Sequence, residues 1–320
     1  MQLARKVIES ELVHFENYYH EVLQSDIPLL NRINNYHFSR KGKQMRPMFV
    51  LLSARLAGEV NEASYRAAVI VEMLHTSSLV HDDLVDDSLE RRGAFSVNAL
   101  WNNKAAIWSG DYLFAHSVLL SLAKGDHQII RFYSDAIQQM IEGELVQMAK
   151  SRKLNLDEKV YYEIITAKTA SFLAAACAAG ASTTFNDNTQ VQQLHLFGKK
   201  TGVAFQLKDD LLDYGKADIG KPTGNDIKEK KLSLPLIYTL NTCEPSLKKK
   251  LLYILKHQNT EEEKVQFVIN EVIRAGGIQY ATEKMFACRD EALALLYEFP
   301  ASETRSALEE MVRYTTDRSY

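Results

Sequence analysis

Apolar residues recur at helical spacing along almost the whole chain, and this period restricts the fold more than any other feature. The 320 residues include only 14 glycines and 6 prolines, and no stretch alternates apolar and polar residues as strands do. No segment rich in proline, glycine or serine divides the chain. The sequence therefore predicts an all-α protein with one domain over residues 1–320.

The segments with this period are the predicted helices. They cover residues 2–24, 46–58, 63–88, 104–124, 127–150, 157–182, 187–215, 232–241, 245–257, 261–275, 277–298 and 302–318. One long stretch, residues 215–231, is rich in Gly, Lys and Asp and is predicted as a polar loop. Loops of this length within a helical protein are often functional, so this loop is expected beside a binding site.

Two short acidic clusters, DDLVD at residues 82–86 and DDLLD at residues 209–213, each end an apolar helical stretch. With 3.6 residues per turn, the first and last aspartates of each cluster share a helix face, as Asp82 and Asp86 do. Like charges at this spacing repel each other unless a cation is bound. Carboxylate oxygens without thiols or paired imidazoles suit Mg²⁺, which completes its shell with water and substrate phosphate. Two such clusters facing each other across a cavity would hold a diphosphate.

Basic residues accompany both clusters at positions that suit phosphate. Lys43 and Arg46 lie at the N-terminus of a predicted helix, where the helix dipole also attracts an anion. Arg91 and Arg92 follow the first cluster, and guanidinium groups bind phosphate oxygens through paired hydrogen bonds. The second half of the chain adds Lys168, Lys221 and Lys231. These cations are enough for two diphosphates.

Charge and cysteine content argue against several other classes of protein. A formal net charge of −3 disfavours nucleic acid as the main partner. Three cysteines without metal-type spacing, Cys177, Cys243 and Cys288, predict a reduced, cytoplasmic protein. Residues 1–14 carry charges among their apolar residues, unlike a signal peptide, and the apolar run at residues 171–181 is too short to span a bilayer. No transmembrane segment is therefore expected.

The motifs, in their order, resemble those of the trans-isoprenyl diphosphate synthases, the polyprenyl synthetase family, from about residue 31 to residue 235. They are GKQMRP at 42–47, EMLHTSSLVHDDLVDDSLERRG at 72–93, SVNALW at 96–101, GDYLF at 110–114, GELVQ at 143–147, KTA at 168–170, FQLKDDLLD at 205–213 and GKPTGNDIKEKKLSLP at 220–235. One DDxxD sequence is a weak indication, whereas two in this order with RRG, KT and FQ are very specific. The resemblance implies a helical bundle of the isoprenoid synthase type with a central active-site cavity.

The resemblance also implies roles for single residues. Mg²⁺, with three ions in each active site, would be held by Asp82, Asp86 and Asp209, while Asp83, Asp210 and Asp213 would act through waters or as support. The allylic diphosphate would contact Arg91, Lys168, Thr169, Gln206, Lys221 and Lys231. Isopentenyl diphosphate would contact Lys43, Arg46, His75 and Arg92. The catalytic residues would be Asp82, Asp86, Asp209, Lys168 and Arg91. The family usually has glycine where this chain has Lys230, which leaves Lys230 and Lys231 as alternatives for one phosphate contact.

The implied reaction is Mg²⁺-dependent head-to-tail condensation of isopentenyl diphosphate with an allylic diphosphate. Ser77 and Ser78 stand just before the first cluster, where short-chain relatives carry a bulky aromatic that blocks the product tunnel. Two serines leave the tunnel open, and the length of the helix behind them predicts a long-chain product of about seven or eight isoprene units. A short-chain (farnesyl or geranylgeranyl) synthase and the catalytic subunit of a heteromeric synthase are the alternatives. SVNALW and the next helix resemble the family's dimerisation region, which predicts a homodimer.

Two rival classes share part of this pattern. A terpene cyclase has the first motif, but its second motif mixes Asn or Asp with Ser and Glu, unlike the second DDxxD here. A non-catalytic partner subunit would be expected to lack some of these Asp and Arg residues, and none is missing. His81, beside the first cluster, is predicted as structural and not catalytic. Arg318 is predicted as a surface residue, with a contact to substrate as the alternative.

Overall fold

Helices form most of the chain in this computed structural model, which describes residues 1–40, 42–91, 93–151, 157–215 and 224–318. The first nine are α1 (Gln2–Val7), α2 (Glu9–Val22), α3 (Pro28–Ser39), α4 (Met45–Arg55), α5 (Glu62–Val85), α6 (Val97–Trp101), α7 (Asn103–Ala123), α8 (His127–Ser151) and α9 (Glu158–Ile165). The π-helical turn Thr166–Ala170 precedes α10 (Ser171–Ala181), α11 (Asn188–Leu212), α12 (Asn225–Lys228), α13 (Leu234–Thr242), α14 (Pro245–His257), α15 (Glu262–Arg274), α16 (Gly277–Tyr297) and α17 (Glu303–Asp317). A two-stranded antiparallel hairpin pairs β1 (Glu90–Arg91) with β2 (Ala94–Phe95). The all-α prediction is confirmed.

The observed helices differ from the predicted ones mainly at short elements. Helices α3, α6 and α12 lie where no helix is predicted. Helix α3 begins with Pro28 in its first turn, where proline is tolerated because the amide there has no intrahelical partner. The predicted helix over residues 2–24 is broken at Ile8, which leaves the helical region with φ −121° and ψ 34°. Long helices follow from the apolar period, whereas such breaks depend on local backbone geometry.

The contacts of the chain group into two compact units. Unit 1 comprises Met1–Ser134, Ala175–His195 and Ala301–Leu308. Unit 2 comprises Asp135–Ala174, Leu196–Pro300 and Glu309–Tyr320. The first acidic cluster belongs to unit 1 and the second to unit 2. The single domain over residues 1–320 stays a prediction.

Helix α5 of unit 1 carries the first acidic cluster at its end. It begins with a capping box, in which the Asn61 side chain accepts hydrogen bonds from the N–H groups of Ala63 (3.0 Å) and Ser64 (3.2 Å). Its middle is buried and packs against α4 and α7. A Cβ atom on Gly110 of α7 would lie 2.3 Å from the ring of His81, so the two helices require glycine there. These contacts set the position of the acidic end of α5.

In unit 2, the second acidic cluster ends α11, which packs against the π-helical turn. A Cβ atom on Gly202 would lie 2.5 Å from Cα of Ala170, so glycine permits this close approach. The predicted helix over residues 157–182 is observed as one helical stretch, Glu158–Ala181, which contains one wider turn at Thr166–Ala170. Single π-helical turns occur frequently at functional sites.

One helical stretch, Glu158–Ala181, is long and apolar enough to cross a membrane by length and composition. It comprises α9, the π-helical turn and α10, and 78% of its most apolar window is buried inside the protein. A core helix of a soluble protein meets the same criteria, and burial to this extent is typical of one. The expected absence of a transmembrane segment stays a prediction.

Candidate active site

The first acidic cluster divides between two faces of α5. Asp82 and Asp86 are exposed, as expected for residues one turn apart, whereas Asp83 is buried with 5% exposure. Asp83 accepts a hydrogen bond of 2.6 Å from Nε of Arg91 in the β-hairpin. The cluster lies at the C-terminal end of a 24-residue helix, where the helix dipole is negative. Both the dipole and the neighbouring carboxylates therefore favour a cation at Asp82 and Asp86.

A cleft of about 310 Å³ lies beside this cluster in unit 1. Its wall includes Gly42, His75, Asp83 and Arg91. Nη1 of Arg46 lies 2.9 Å from Nε2 of His75, which ties the start of α4 to α5. The cleft is large enough for a small substrate, and its polar wall groups suit an anion.

The predicted isopentenyl diphosphate contacts lie partly around this cleft. Arg46 and His75 are half-buried and in contact with each other, and the side chain of Lys43 is exposed. The carbonyl oxygen of Lys43 accepts a hydrogen bond of 3.0 Å from Nη2 of Arg5. Arg92 lies outside the described residues.

The two chain-length serines occupy different faces of α5. Ser77 is buried, and its hydroxyl donates a hydrogen bond of 2.8 Å to the carbonyl oxygen of Gly110 in α7. Ser78 is half-buried and donates to the carbonyl oxygen of His75 at 2.8 Å. Because Asp82 follows Ser78 by four residues, Ser78 shares a helix face with the exposed carboxylate, whereas Ser77 faces α7.

In the second cluster, Asp209 is the aspartate that remains partly open. Its side chain is 38% exposed and pairs with Arg318, just beyond the end of α17. Burial raises the pKa of Asp209 above its ordinary value, and the guanidinium of Arg318 opposes this shift. The prediction that Arg318 is a surface residue is wrong, because its side chain is only 16% exposed and contacts the cluster.

Asp210 is the buried anchor of the second cluster. It accepts hydrogen bonds from the Tyr161 hydroxyl (2.6 Å), from Nε2 of Gln206 (3.2 Å) and from the N–H of Leu234 (3.3 Å). Burial raises the pKa of Asp210 to about 6. Gln206 in turn accepts a hydrogen bond of 2.9 Å from the hydroxyl of Thr169 in the π-helical turn. One network thus connects Thr169, Gln206 and the second cluster.

Asp213 holds the backbone that follows the cluster. Its carboxylate accepts hydrogen bonds from the N–H groups of Asn225 (2.9 Å) and Asp226 (3.0 Å), at the start of α12. Burial, followed by the neighbouring charge of Asp226, raises the pKa of Asp213. Both carboxylate oxygens of Asp213 thus accept hydrogen bonds from backbone N–H groups, and Asp213 is placed to position the start of α12.

Lys231 and Lys230 have different environments. Nζ of Lys231 lies 3.1 Å from Oδ1 of Asp226 and, although burial opposes it, the charges of Asp226 and Asp210 raise its pKa. Nζ of Lys230 instead donates to the carbonyl oxygen of Lys256 at 3.0 Å. Lys231 is therefore the lysine beside the second cluster. Lys221 lies outside the described residues.

Lys168 projects from the π-helical turn and pairs with Glu144 of α8, with Nζ and Oε1 2.6 Å apart.

Glu144, Tyr161 and Asp226 contact predicted site residues but are not themselves predicted. Asp226 and Glu144 stand inside the motifs at 220–235 and 143–147, so a closer examination of those motifs could have found them. Tyr161 lies in no motif, and its partner Asp210 is 49 residues away in sequence.

The carboxylates fit the predicted metal in kind. In the parts of the chain that the structure describes, no three His, Cys, Asp or Glu side chains are gathered as a ready-made metal site. Mg²⁺ does not need such a group, because one or two carboxylates with water and substrate phosphate complete its shell. Asp82 and Asp86 provide two exposed carboxylates on one helix face, and Asp209 provides a third that is partly exposed.

Comparisons with known proteins agree with this geometry. The family model described as "Polyprenyl synthetase" matches residues 27–272. Heptaprenyl diphosphate synthase component 2 of Bacillus subtilis (strain 168) is 30% identical over 322 residues, which cover 100% of this chain and 91% of the relative.

Two solved structures are also similar over nearly the whole chain. A decaprenyl diphosphate synthase from Rhodobacter capsulatus has a TM-score of 0.93 and 30% identity, with 99% of this chain and 98% of that chain covered. A geranylgeranyl pyrophosphate synthase from Bacteroides thetaiotaomicron has a TM-score of 0.84 and 34% identity, with 99% and 98% covered. The predicted family and the predicted enzyme class are confirmed: the chain belongs to the polyprenyl synthetase family and is a prenyltransferase.

Proposed function

We propose that the protein is a Mg²⁺-dependent long-chain trans-polyprenyl diphosphate synthase, which condenses isopentenyl diphosphate with an allylic diphosphate. The observation that carries the proposal is the end of α5, where Asp82 and Asp86 lie exposed on one face beside the cleft that contains His75 and Arg91. The heptaprenyl and decaprenyl synthases among the relatives favour a long product. The membership of the family supports the reaction class.

The reaction begins when the allylic C–O bond breaks and the diphosphate leaves with both bonding electrons. Asp82 and Asp86 would hold Mg²⁺, which would supply positive charge to the departing diphosphate, and Asp209 is proposed as a further metal ligand. Lys168 and Lys231 add fixed positive charge without a protein nucleophile. The π-electrons of isopentenyl diphosphate form the new C–C bond, and loss of a proton restores a double bond. We propose three metal ions for each active site.

The cleft of unit 1 is proposed as the pocket of isopentenyl diphosphate. Lys43, Arg46, His75 and Arg92 would hold its diphosphate, and the contact between Arg46 and His75 supports a joint role for these two. The carbocation must be kept from water while it forms, which requires an apolar surface around the reacting carbons. Leu79 and Val80 of α5 provide apolar wall on the same cleft.

Product length is the part of the proposal with a real alternative. The geranylgeranyl pyrophosphate synthase among the similar structures keeps a short-chain product as the second candidate. Ser78 lies on the same helix face as Asp82 and has a small side chain. Because no aromatic ring at this position blocks the space next to Asp82, a longer product is favoured. A role as the catalytic subunit of a heteromeric synthase has no separate support from the described residues.

We also propose a cytoplasmic homodimer. The outer face of α7 exposes large apolar side chains, which are Ile107, Trp108, Phe114, Leu119 and Leu122. Apolar patches of this kind on a soluble protein mark interfaces, and a second copy of the chain is the partner that the resemblance implies. The cysteines support a reducing compartment, since Cys177, Cys243 and Cys288 are all free thiols.

A product assay tests the proposal directly. Purified protein is incubated with isopentenyl diphosphate, an allylic diphosphate and Mg²⁺, and the dephosphorylated products are sized by chromatography. We expect Mg²⁺-dependent products of about seven or eight isoprene units, in keeping with the length of α5 behind Ser78. Products of three or four units would establish the short-chain alternative, and no condensation with the single chain would favour a required second subunit.

A further inference from the structure

Arg318 is the last residue that the structure describes, and it lies against the second acidic cluster. Its Nη2 pairs with Oδ1 of Asp209, and its guanidinium lies over the ring of Phe205 with 4.1 Å between Cζ and the ring centroid. Its Nε donates a hydrogen bond of 3.3 Å to the carbonyl oxygen of Thr315. Three separate contacts hold a side chain that is only 16% exposed, so this is a defined position and not a loose surface pair.

Asp209 depends on Arg318 for direct charge compensation. Lys231, the other cation that acts on this carboxylate, is in contact with Asp226 at 3.1 Å. Asp210, which follows Asp209 in sequence, accepts hydrogen bonds from Tyr161 and Gln206 in the buried network. Asp209 also keeps 38% of its side chain exposed, so a small cation can reach it from solvent.

A divalent cation and a guanidinium compete for the same carboxylate oxygen. Mg²⁺ binds oxygen at close range and repels a neighbouring positive charge, so the contact between Arg318 and Asp209 opposes its binding. The two effects are linked thermodynamically. The free energy by which Arg318 weakens metal binding equals the free energy by which the bound metal weakens the contact between Arg318 and Asp209. Metal binding at Asp209 should therefore release the side chain of Arg318 from this contact.

We propose that Arg318 is a positioning residue of the second aspartate site, a built-in counter-ion that holds Asp209 in the metal-free enzyme and leaves it when a divalent cation binds. The inference rests on the proposed function, because it takes Asp209 as a metal ligand.

Metal binding without substrate provides the first test. The background is Asp82→Asn with Asp86→Asn, which silences the first cluster, and free Mn²⁺ is measured by electron paramagnetic resonance. Arg318→Gln in this background should bind Mn²⁺ about fivefold or more tightly than the parent. Arg318→Lys, which keeps the charge, should stay close to the parent. Arg313→Gln is the matched control, since Arg313 lies in α17 but pairs with Glu309 in an exposed contact.

Proteolysis reads the release of Arg318 itself. Trypsin cleaves after arginine only when the side chain is free to enter the protease pocket, and cleavage after Arg318 removes Ser319 and Tyr320. Mn²⁺ alone should accelerate this cleavage, as followed by mass spectrometry of the intact chain. Asp209→Asn should show the faster cleavage without metal. Circular dichroism confirms that each variant is folded.

The outcomes separate the inference from the proposed function. If Asp209→Asn does not weaken Mn²⁺ binding in the silenced background, Asp209 is not a ligand and the proposed metal site fails. If Asp209→Asn weakens binding but Arg318→Gln leaves the affinity unchanged, the metal site stands and the counter-ion role is overturned. Cleavage after Arg318 that does not respond to Mn²⁺ would overturn the release of Arg318 by the metal.

Discussion

At the scale of single residues, three cations of the candidate site are each held by a carboxylate. Arg91 pairs with Asp83, Lys168 with Glu144 and Lys231 with Asp226. The three basic side chains nevertheless remain similarly exposed, at 36%, 37% and 32%. A partly exposed cation with one acidic partner is oriented in advance but can still accept a phosphate oxygen, which lowers the entropic cost of binding.

The exposed aspartates should be required for turnover but not for folding. Asp82→Ala removes charge stabilisation of the leaving diphosphate, and we expect a loss of about 10²-fold or more in kcat. The free energy of unfolding should hold or rise, because Asp82 and Asp86 repel each other at the negative end of α5. Steady-state kinetics and urea denaturation measure both quantities. Asp290→Ala, at another exposed aspartate, is the control, and near-normal turnover of Asp82→Ala would contradict the metal site.

Lys230 has a backbone conformation that suits glycine. Its φ of 59° lies in the left-handed region, which costs about 1–2 kcal/mol for a residue with a Cβ atom. This explains the glycine that the family usually has at this position. Lys230→Gly relieves this backbone strain but also increases the conformational entropy of the unfolded chain. The net effect should be a rise of roughly 0.5–1 kcal/mol in the free energy of unfolding. Lys228→Gly, in the helical part of α12, should lower it, and equal effects in urea denaturation would contradict this reasoning.

His37 should make stability fall in mild acid. Burial lowers the pKa of His37 to about 4, and its Nε2 has no hydrogen-bond partner among the described residues. The unfolded chain therefore takes up the proton first, and the free energy of unfolding decreases as the pH falls from about 6.5 to about 4. The loss should be about 1–2 kcal/mol at pH 5.

Denaturation of His37→Phe at pH 7 and pH 5 measures this contribution, since the variant cannot take up the proton. Its stability should depend less on pH than that of the wild type. His127→Gln replaces an exposed histidine and should keep the wild-type dependence. An unchanged pH dependence of His37→Phe would show that His37 is not buried in neutral form.

At the scale of elements, the sequence predicts the long helices and the acidic ends of α5 and α11, because apolar period and charge are local properties. The π-helical turn is not predictable in this way, since it packs against α11 through the close approach of Gly202 to Ala170. Helix α12 depends similarly on the carboxylate of Asp213, which accepts its first N–H groups from 12 and 13 residues away. Contacts distant in sequence thus decide the elements that escape prediction.

The two faces of α5 allow the chain-length residues to be separated. Ser78→Phe places a ring on the face of Asp82 and should shorten the product. Ser77→Phe should instead disturb folding, because Ser77 is buried against Gly110 and a ring there overfills the α5–α7 contact, at a cost of about 1–3 kcal/mol. Product sizing and urea denaturation of both variants distinguish the effects. A shorter product from a stable Ser77→Phe would place the tunnel on the α7 side.

At the scale of the whole molecule, the acidic clusters and their basic neighbours could be predicted, but their partners could not. The motifs name Asp209, whereas Arg318 lies 109 residues further along and stands in no motif. Residues that act through charge on a substrate leave a local pattern, while the residues that position them are brought together only by folding. The candidate site is thus more predictable in its chemistry than in its support.

The outer face of α7 should be the surface through which two copies associate. On this face Trp108 is 68% exposed and Leu119 is 66% exposed, so a monomer would leave much of their apolar surface in contact with water. Light scattering at micromolar concentration should give twice the chain mass of 36.3 kDa. The double variant Trp108→Asp with Leu119→Asp should have the mass of one chain, because it places two charges in an apolar contact. Val13→Asp, at an exposed apolar residue of α2, should leave the mass unchanged. A wild-type monomer would refute the dimer, and a dimer that survives the double change would move the interface away from α7.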